Sequence, residues 1–209
     1  MPKTHNSSWI CRKCRYSIER QRKEFSKNMK KSKGCYIVLL LASAITLLPV
    51  LMIACMNLKP LYQRTSFSPP ALSQKERNEI QAETQNFTTD RQFFDYAIDK
   101  AGERLHFTMR NNLKNNGANC IGYTALAKAY LNYALSIHGK RNKTYHYVGM
   151  VHSFGISLNM VLQSFLPEKH KSFVKDHDFL GMKADTGELI LASPTLKDLT
   201  GFSAYTVSE

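Results

Sequence analysis

The stretch 119–139, NCIGYTALAKAYLNYALSIHG, constrains the fold more than any other part of this chain. From Ile121 onward, Ala125, Leu126, Ala129, Tyr130, Tyr133, Ala134 and Ile137 recur at three- and four-residue steps. That spacing predicts a helix with one broad apolar face, which must be covered by other elements and so belongs to a core. Gly117 and Asn119 mark its start, a turn residue and a good N-cap type, and Gly139 stands at a C′ position. Cys120 therefore falls in the first helical turn. There the unsatisfied backbone N–H groups and the positive end of the helix dipole favour thiolate over thiol. The competing reading of Cys120 is a small buried hydrophobe.

The net charge of +13 suggests a nucleic-acid binder until its distribution is considered. Residues 1–34 hold eleven Lys and Arg against Glu19 and Glu24, a balance of +9, which leaves only +4 for the rest of the chain. Residues 36–54, YIVLLLASAITLLPVLMIA, follow directly and carry no charge over nineteen residues, enough to span a hydrocarbon core. A basic flank before an apolar segment is topogenic, so no nucleic-acid partner is expected. Only Lys59 and Arg64 follow soon after, and the positive-inside rule puts the N-terminus in the cytoplasm and everything after Cys55 outside. A second reading starts translation at Met29 and makes the segment a bacterial lipoprotein signal, with Met52-Ile53-Ala54-Cys55 as an imperfect lipobox and Cys55 lipidated. Both readings tether the rest of the chain to the outer side of the cytoplasmic membrane, through 35–55.

The chain divides accordingly into a basic tail or leader, 1–34, the transmembrane helix or signal, 35–55, a Pro/Ser/Thr linker, 56–73, and a folded domain, 74–209. Within the domain, 74–86 and 89–112 read as helices and 144–153 as a strand. Residues 156–165 read as a short helical or irregular insert, and 173–183 and 188–192 as strands of a hairpin about Asp185-Thr186-Gly187. Helices first and strands afterwards imply an α+β domain with an antiparallel sheet.

Five cysteines divide in an informative way: Cys11 and Cys14 precede the apolar segment, Cys35 and Cys55 bracket it, and Cys120 is alone after it. With no disulfide partner in an exported domain, Cys120 is a free thiol, an intermolecular bond or an inert core residue. A cysteine nucleophile needs a base from a different element, and the candidates are His138, His146, His152, His170 and His177. His177 opens the hairpin whose return strand brings residues 193–195 back beside it. His146 and His152 share one strand with no third ligand in sight, so no metal site is expected, nor is one at Cys11 and Cys14.

Four runs in this order and spacing resemble the transglutaminase-like (papain-like) cysteine enzyme superfamily: Asn119-Cys120-Ile121-Gly122-Tyr123 with its helix, Tyr147-Val148-Gly149, His177-Asp178-Phe179, and Ser193-Pro194-Thr195. The resemblance covers 111–199. It implies a papain/transglutaminase-like α+β domain performing thiol-dependent hydrolysis or acyl transfer on a peptide or protein amide, without a cofactor. Cys120 would attack the carbonyl and His177 would shuttle the proton. The oxyanion and substrate side would comprise the Cys120 N–H, Asn115, Asn116 and Tyr123, with Tyr130 and Tyr133 in the core and cleft wall. Ser193 stands where the family usually has an orienting Asp, and Asp178 is expected on the opposite face of its strand. The third member is then Ser193, Thr195 or a backbone carbonyl. The departure motivates a rival reading, a catalytically silent domain of this fold that binds a peptide, glycan or envelope partner. Oligomeric state is not legible.

Overall fold

The structure is a computed structural model that describes residues 43, 46–48, 51–52, 54–171, 174–202 and 205–208. It divides into two compact units, Met1–Val50 and Leu51–Glu209. In the first, the described residues are helical, and the Thr46 hydroxyl donates to the Ser43 carbonyl at 3.0 Å. Among the described residues no helix is long and apolar enough to cross a membrane, and the expected span falls for the most part outside them. The tail 1–34 with Cys11 and Cys14 lies outside them entirely.

The second unit is a mixed α+β domain. Its chain runs β1 (Met56–Gln63), α1 (Gln74–Thr84), α2 (Asp90–Arg104), β2 (His106–Phe107), a 3₁₀ turn (Leu113–Asn115), β3 (Gly117–Ala118) and α3 (Cys120–Ile137). There follow β4 (Thr144–Ser153), β5 (Ile156–Ser157), α4 (Leu158–Phe165), α5 (Glu168–Lys171), β6 (His177–Lys183), β7 (Leu189–Ala192), α6 (Pro194–Thr200) and β8 (Thr206–Ser208). The main sheet is antiparallel and curled, in the order β1-β4-β6-β7-β8, with β5 folded back on β4. β2 and β3 form a small parallel pair beside the start of α3.

Alternation along β6 and β7 builds two apolar layers. Leu180, Met182, Ile190 and Ala192 pack with α1, α2 and α3, where Phe93, Phe94, Tyr123, Tyr130 and Leu131 are fully buried. Phe179 and Leu191, one step along each strand, join Met56, Leu58 and Val151 in the second layer. Burying each large side chain of this kind contributes about 2–3 kcal/mol, which is why the helix face read from the sequence settles on the sheet.

Residues 56–73, expected to be a linker, depart from that expectation: their first half is β1. Pro60 hid the strand, and it is accommodated because β1 lies at the sheet edge and its register shifts between Pro60 and Tyr62. Gly149 is what lets β1 close on β4, since a Cβ there would sit 2.0 Å from the Lys59 carbonyl oxygen. The expected helix over 89–112 stops at Arg104, where Leu105 turns extended. The expected insert 156–165 is β5 followed by α4.

Candidate active site

α3 begins at Cys120 because Asn119 caps it. The Asn119 side chain accepts from the Ile121 N–H at 3.1 Å, and the Asn119 N–H donates to Asn111 Oδ1 at 3.0 Å. Gly122 makes room for this clamp, since a Cβ there would come within 2.5 Å of Asn111 Oδ1. Cys120 is thus held as the first helical residue, half-buried, in the wall of a cavity of about 260 Å³.

His177, the first residue of β6, lines the same cavity. Its Nε2 lies 2.7 Å from Ser193 Oγ. Ser193 is buried as the N-cap of α6, its oxygen accepting the Leu196 N–H at 3.1 Å. The structure therefore brings Cys120 and His177 to one cavity and sets Ser193 against the His177 imidazole. Thr195, the alternative third member, is buried in the cavity wall, and its hydroxyl has no hydrogen-bond partner among the described residues. Burial pushes the His177 imidazole down to about 4, opposed by the charge of the adjacent Asp178.

Asp178 is the residue whose role the sequence reading missed. Alternation does turn it away from His177, but it meets the start of α3 there. Cys120 Sγ donates to Asp178 Oδ2 at 3.6 Å. Asp178 Oδ1 also lies 2.7 Å from His146 Nε2 and accepts from Arg64 Nε at 2.6 Å. Both Asp178 and His146 are buried, and His146 Nδ1 has no partner among the described residues. Burial alone would raise the Asp178 carboxyl, but the hydrogen bonds from His146 and Arg64 and the Arg64 charge outweigh it and hold the group below its ordinary value.

The consequence for Cys120 reverses the expectation drawn from its helix position. Burial first, then the Asp178 charge, pushes the thiol up to about 12, offset only in part by the Asp178 backbone N–H. A helix N-terminus contributes about 0.3–1 kcal/mol at a surface and up to ~2 when partly buried, too little against a contacting carboxylate in an enclosed site. At rest Cys120 is a thiol that donates to Asp178.

Two further expectations do not fit the geometry. Asn115 and Asn116 are exposed in the 3₁₀ turn and its left-handed cap, with φ 58° at Asn116, and neither lines the cavity; Asn119 does. Tyr123 is fully buried, its hydroxyl donating to Asp198 Oδ2 with the Leu105 carbonyl oxygen 3.0 Å away, so it braces α3 rather than lining the cleft. Cys55 is an exposed free thiol outside the cavity. Among the other histidines, His138 Nε2 bonds the Thr84 hydroxyl at 3.1 Å.

No protein-family model, no curated protein and no solved structure matches this chain.

Proposed function

We propose that the domain 51–209 is a papain/transglutaminase-like thiol acyl transferase or amide hydrolase, tethered by 35–55 to the outer face of the cytoplasmic membrane. The observation that carries the reading is the cavity lined by both Cys120 and His177, with Ser193 Oγ on the Nε2 of the imidazole. The order of parts also supports it: a cysteine at a helix start, then an adjacent pair of strands with histidine opening the second, then a polar residue directly after the third.

In this reading Nε2–H donates to Ser193 Oγ, which leaves Nδ1 to act as the base. Cys120 Sγ attacks the carbonyl carbon of an amide as its proton passes to His177. Collapse of the tetrahedral intermediate breaks the C–N bond, and the imidazolium returns the proton to the leaving amine. Water or a second amine then attacks the thioester and regenerates the thiol. The Cys120 N–H and the Thr195 hydroxyl are the candidate donors to the oxyanion. Because the resting thiol is neutral, the mechanism is general-base attack rather than a preformed thiolate–imidazolium pair.

The raised thiol and the absent orienting carboxylate favour one second reading, a binding domain without turnover. Incubation with a p-nitrophenyl acyl ester, followed by peptide mass mapping, separates the two. The enzyme reading expects a thioester on Cys120 that Cys120→Ser lacks. Absence of that adduct from the folded wild-type protein establishes the binding reading instead.

A further inference from the structure

The cavity around Cys120 is walled for the most part by hydrocarbon. Met56, Val151, Leu158 and Leu196 line it. Phe107, Met109, Leu162 and Leu199 also line it and are each at least 40% exposed, so the surface opening is apolar too. Its polar groups are few and mostly committed. Asn159 accepts from the Val151 N–H at 2.8 Å and donates to the Val174 carbonyl at 3.2 Å, while Cys120, His177 and Thr195 belong to the reacting end. Asp176 is the one carboxylate among the described residues of the wall. An extended peptide needs partners for its backbone N–H and C=O groups, each costly to bury unpaired, whereas a hydrocarbon chain needs none.

The position of the cavity in the chain names the source of that hydrocarbon. Met56, part of its wall, stands two residues after the uncharged stretch 36–54. It pairs with Ser153, whose hydroxyl donates to the Met52 carbonyl at 2.8 Å. The domain thus grips the chain where the tether ends, and the cavity wall starts there. Apolar surface continues outward along α4, where Met160 is 64% and Phe165 81% exposed. A bilayer anchored only a few residues before Met56 along the chain would offer acyl chains at high effective concentration.

We propose that the cavity binds one acyl chain of a membrane lipid, its carbonyl end toward Cys120 and Thr195 and its tail toward the ring of Phe107, Met109, Leu162 and Leu199. This deepens the acyl-transfer reading and rests on it and on the tether: the acyl group presented to Cys120 is a lipid one.

The test uses the full chain in phosphatidylcholine vesicles carrying a phospholipid with a photoactivatable diazirine on one acyl chain, with adducts mapped by peptide mass spectrometry. Adducts are expected in the cavity wall at Val151, Leu158 or Leu196 as well as in 36–54. Leu162→Glu and Leu199→Glu, at exposed positions that spare the fold, should each cut the cavity adducts about tenfold by placing a charge in the apolar opening, and leave those in 36–54 unchanged. Adducts confined to 36–54, or cavity adducts equal in wild type and both variants, overturn the proposal. Adducts in neither region overturn it together with the tether. Cys120→Ser should retain the cavity adducts, so a failure of thiol chemistry with adducts intact counts against the enzyme reading alone.

Discussion

At the scale of single residues the site turns on two neighbours in sequence, His177 and Asp178, which strand alternation sends to opposite faces of β6. That Cys120 and His177 would share a cavity with Ser193 against the imidazole was legible because the signals are local: a cysteine at a capped helix start, a histidine at a strand start and a serine at the end of the return strand. Arg64 and His146 were not legible beside Cys120, because what brings them there is a contact with Asp178 across the sheet. Ser193 is the sharpest residue-level probe. Ser193→Asp keeps a good N-cap for α6 and places a carboxylate on His177 Nε2, which should raise the imidazole from about 4 toward its ordinary value. Acylation of Cys120 at neutral pH should be equal or faster in this variant. Ser193→Ala should lose about 1 kcal/mol with the cap, and acylate more slowly. A slower Ser193→Asp protein with unchanged Tm would remove Ser193 from the site.

Among the elements, α3 and β4 were read from the sequence almost to the residue, because strong periodicity and clear end signals coincide. α6 was missed, although Ser193 as N-cap followed by Pro194 at the first helical position is a start signal, because 193–195 was read as the continuation of a strand. The first turn of α3 is the element on which the chemistry depends most. Gly122→Ala would drive a methyl into Asn111 Oδ1 and Ala118 Cβ, loosening the loop that holds Asn119. A cost of about 1–3 kcal/mol is expected, with slower Cys120 acylation. In an Asn111→Ala background the added cost of Gly122→Ala should shrink, and a double-mutant cycle by thermal denaturation measures it. Strict additivity would mean that the clamp does not exist.

For the whole molecule, the domain boundary moves from Gln74 back to Leu51, since β1 completes the sheet edge and Arg64 neutralises Asp178. The segment between them looked like a linker because Pro60, Pro69 and Pro70 dominate its composition, while the pairing of β1 with β4 is long-range. A fragment 74–209 leaves β4 unpaired along one edge and strips Asp178 of its cation. Breaking a buried ion pair costs about 3–5 kcal/mol, a large share of the ~5–15 kcal/mol that holds a domain together. Fragment 51–209 should unfold cooperatively in urea, whereas 74–209 should unfold broadly or aggregate. Equal, sharp transitions in the two fragments would restore the linker reading.

The central claim is that His177 acts as the base for a Cys120 that rests as a thiol. The most direct measurement is the rate of Cys120 acylation by an activated acyl ester against pH, resolved by peptide mapping, in wild type and His177→Ala. A histidine depressed to about 4 is neutral, and able to accept the proton, at every pH above that value. The wild-type rate should therefore rise with a midpoint near pH 4 and then stay level through neutrality, because the thiol itself ionises only at about 12. His177→Ala should be slower at neutral pH by about 10²–10⁴, and its rate should climb roughly tenfold per pH unit as thiolate becomes the only nucleophile. Superposable profiles, both climbing with pH, would contradict the claim and leave Cys120 an ordinary buried cysteine.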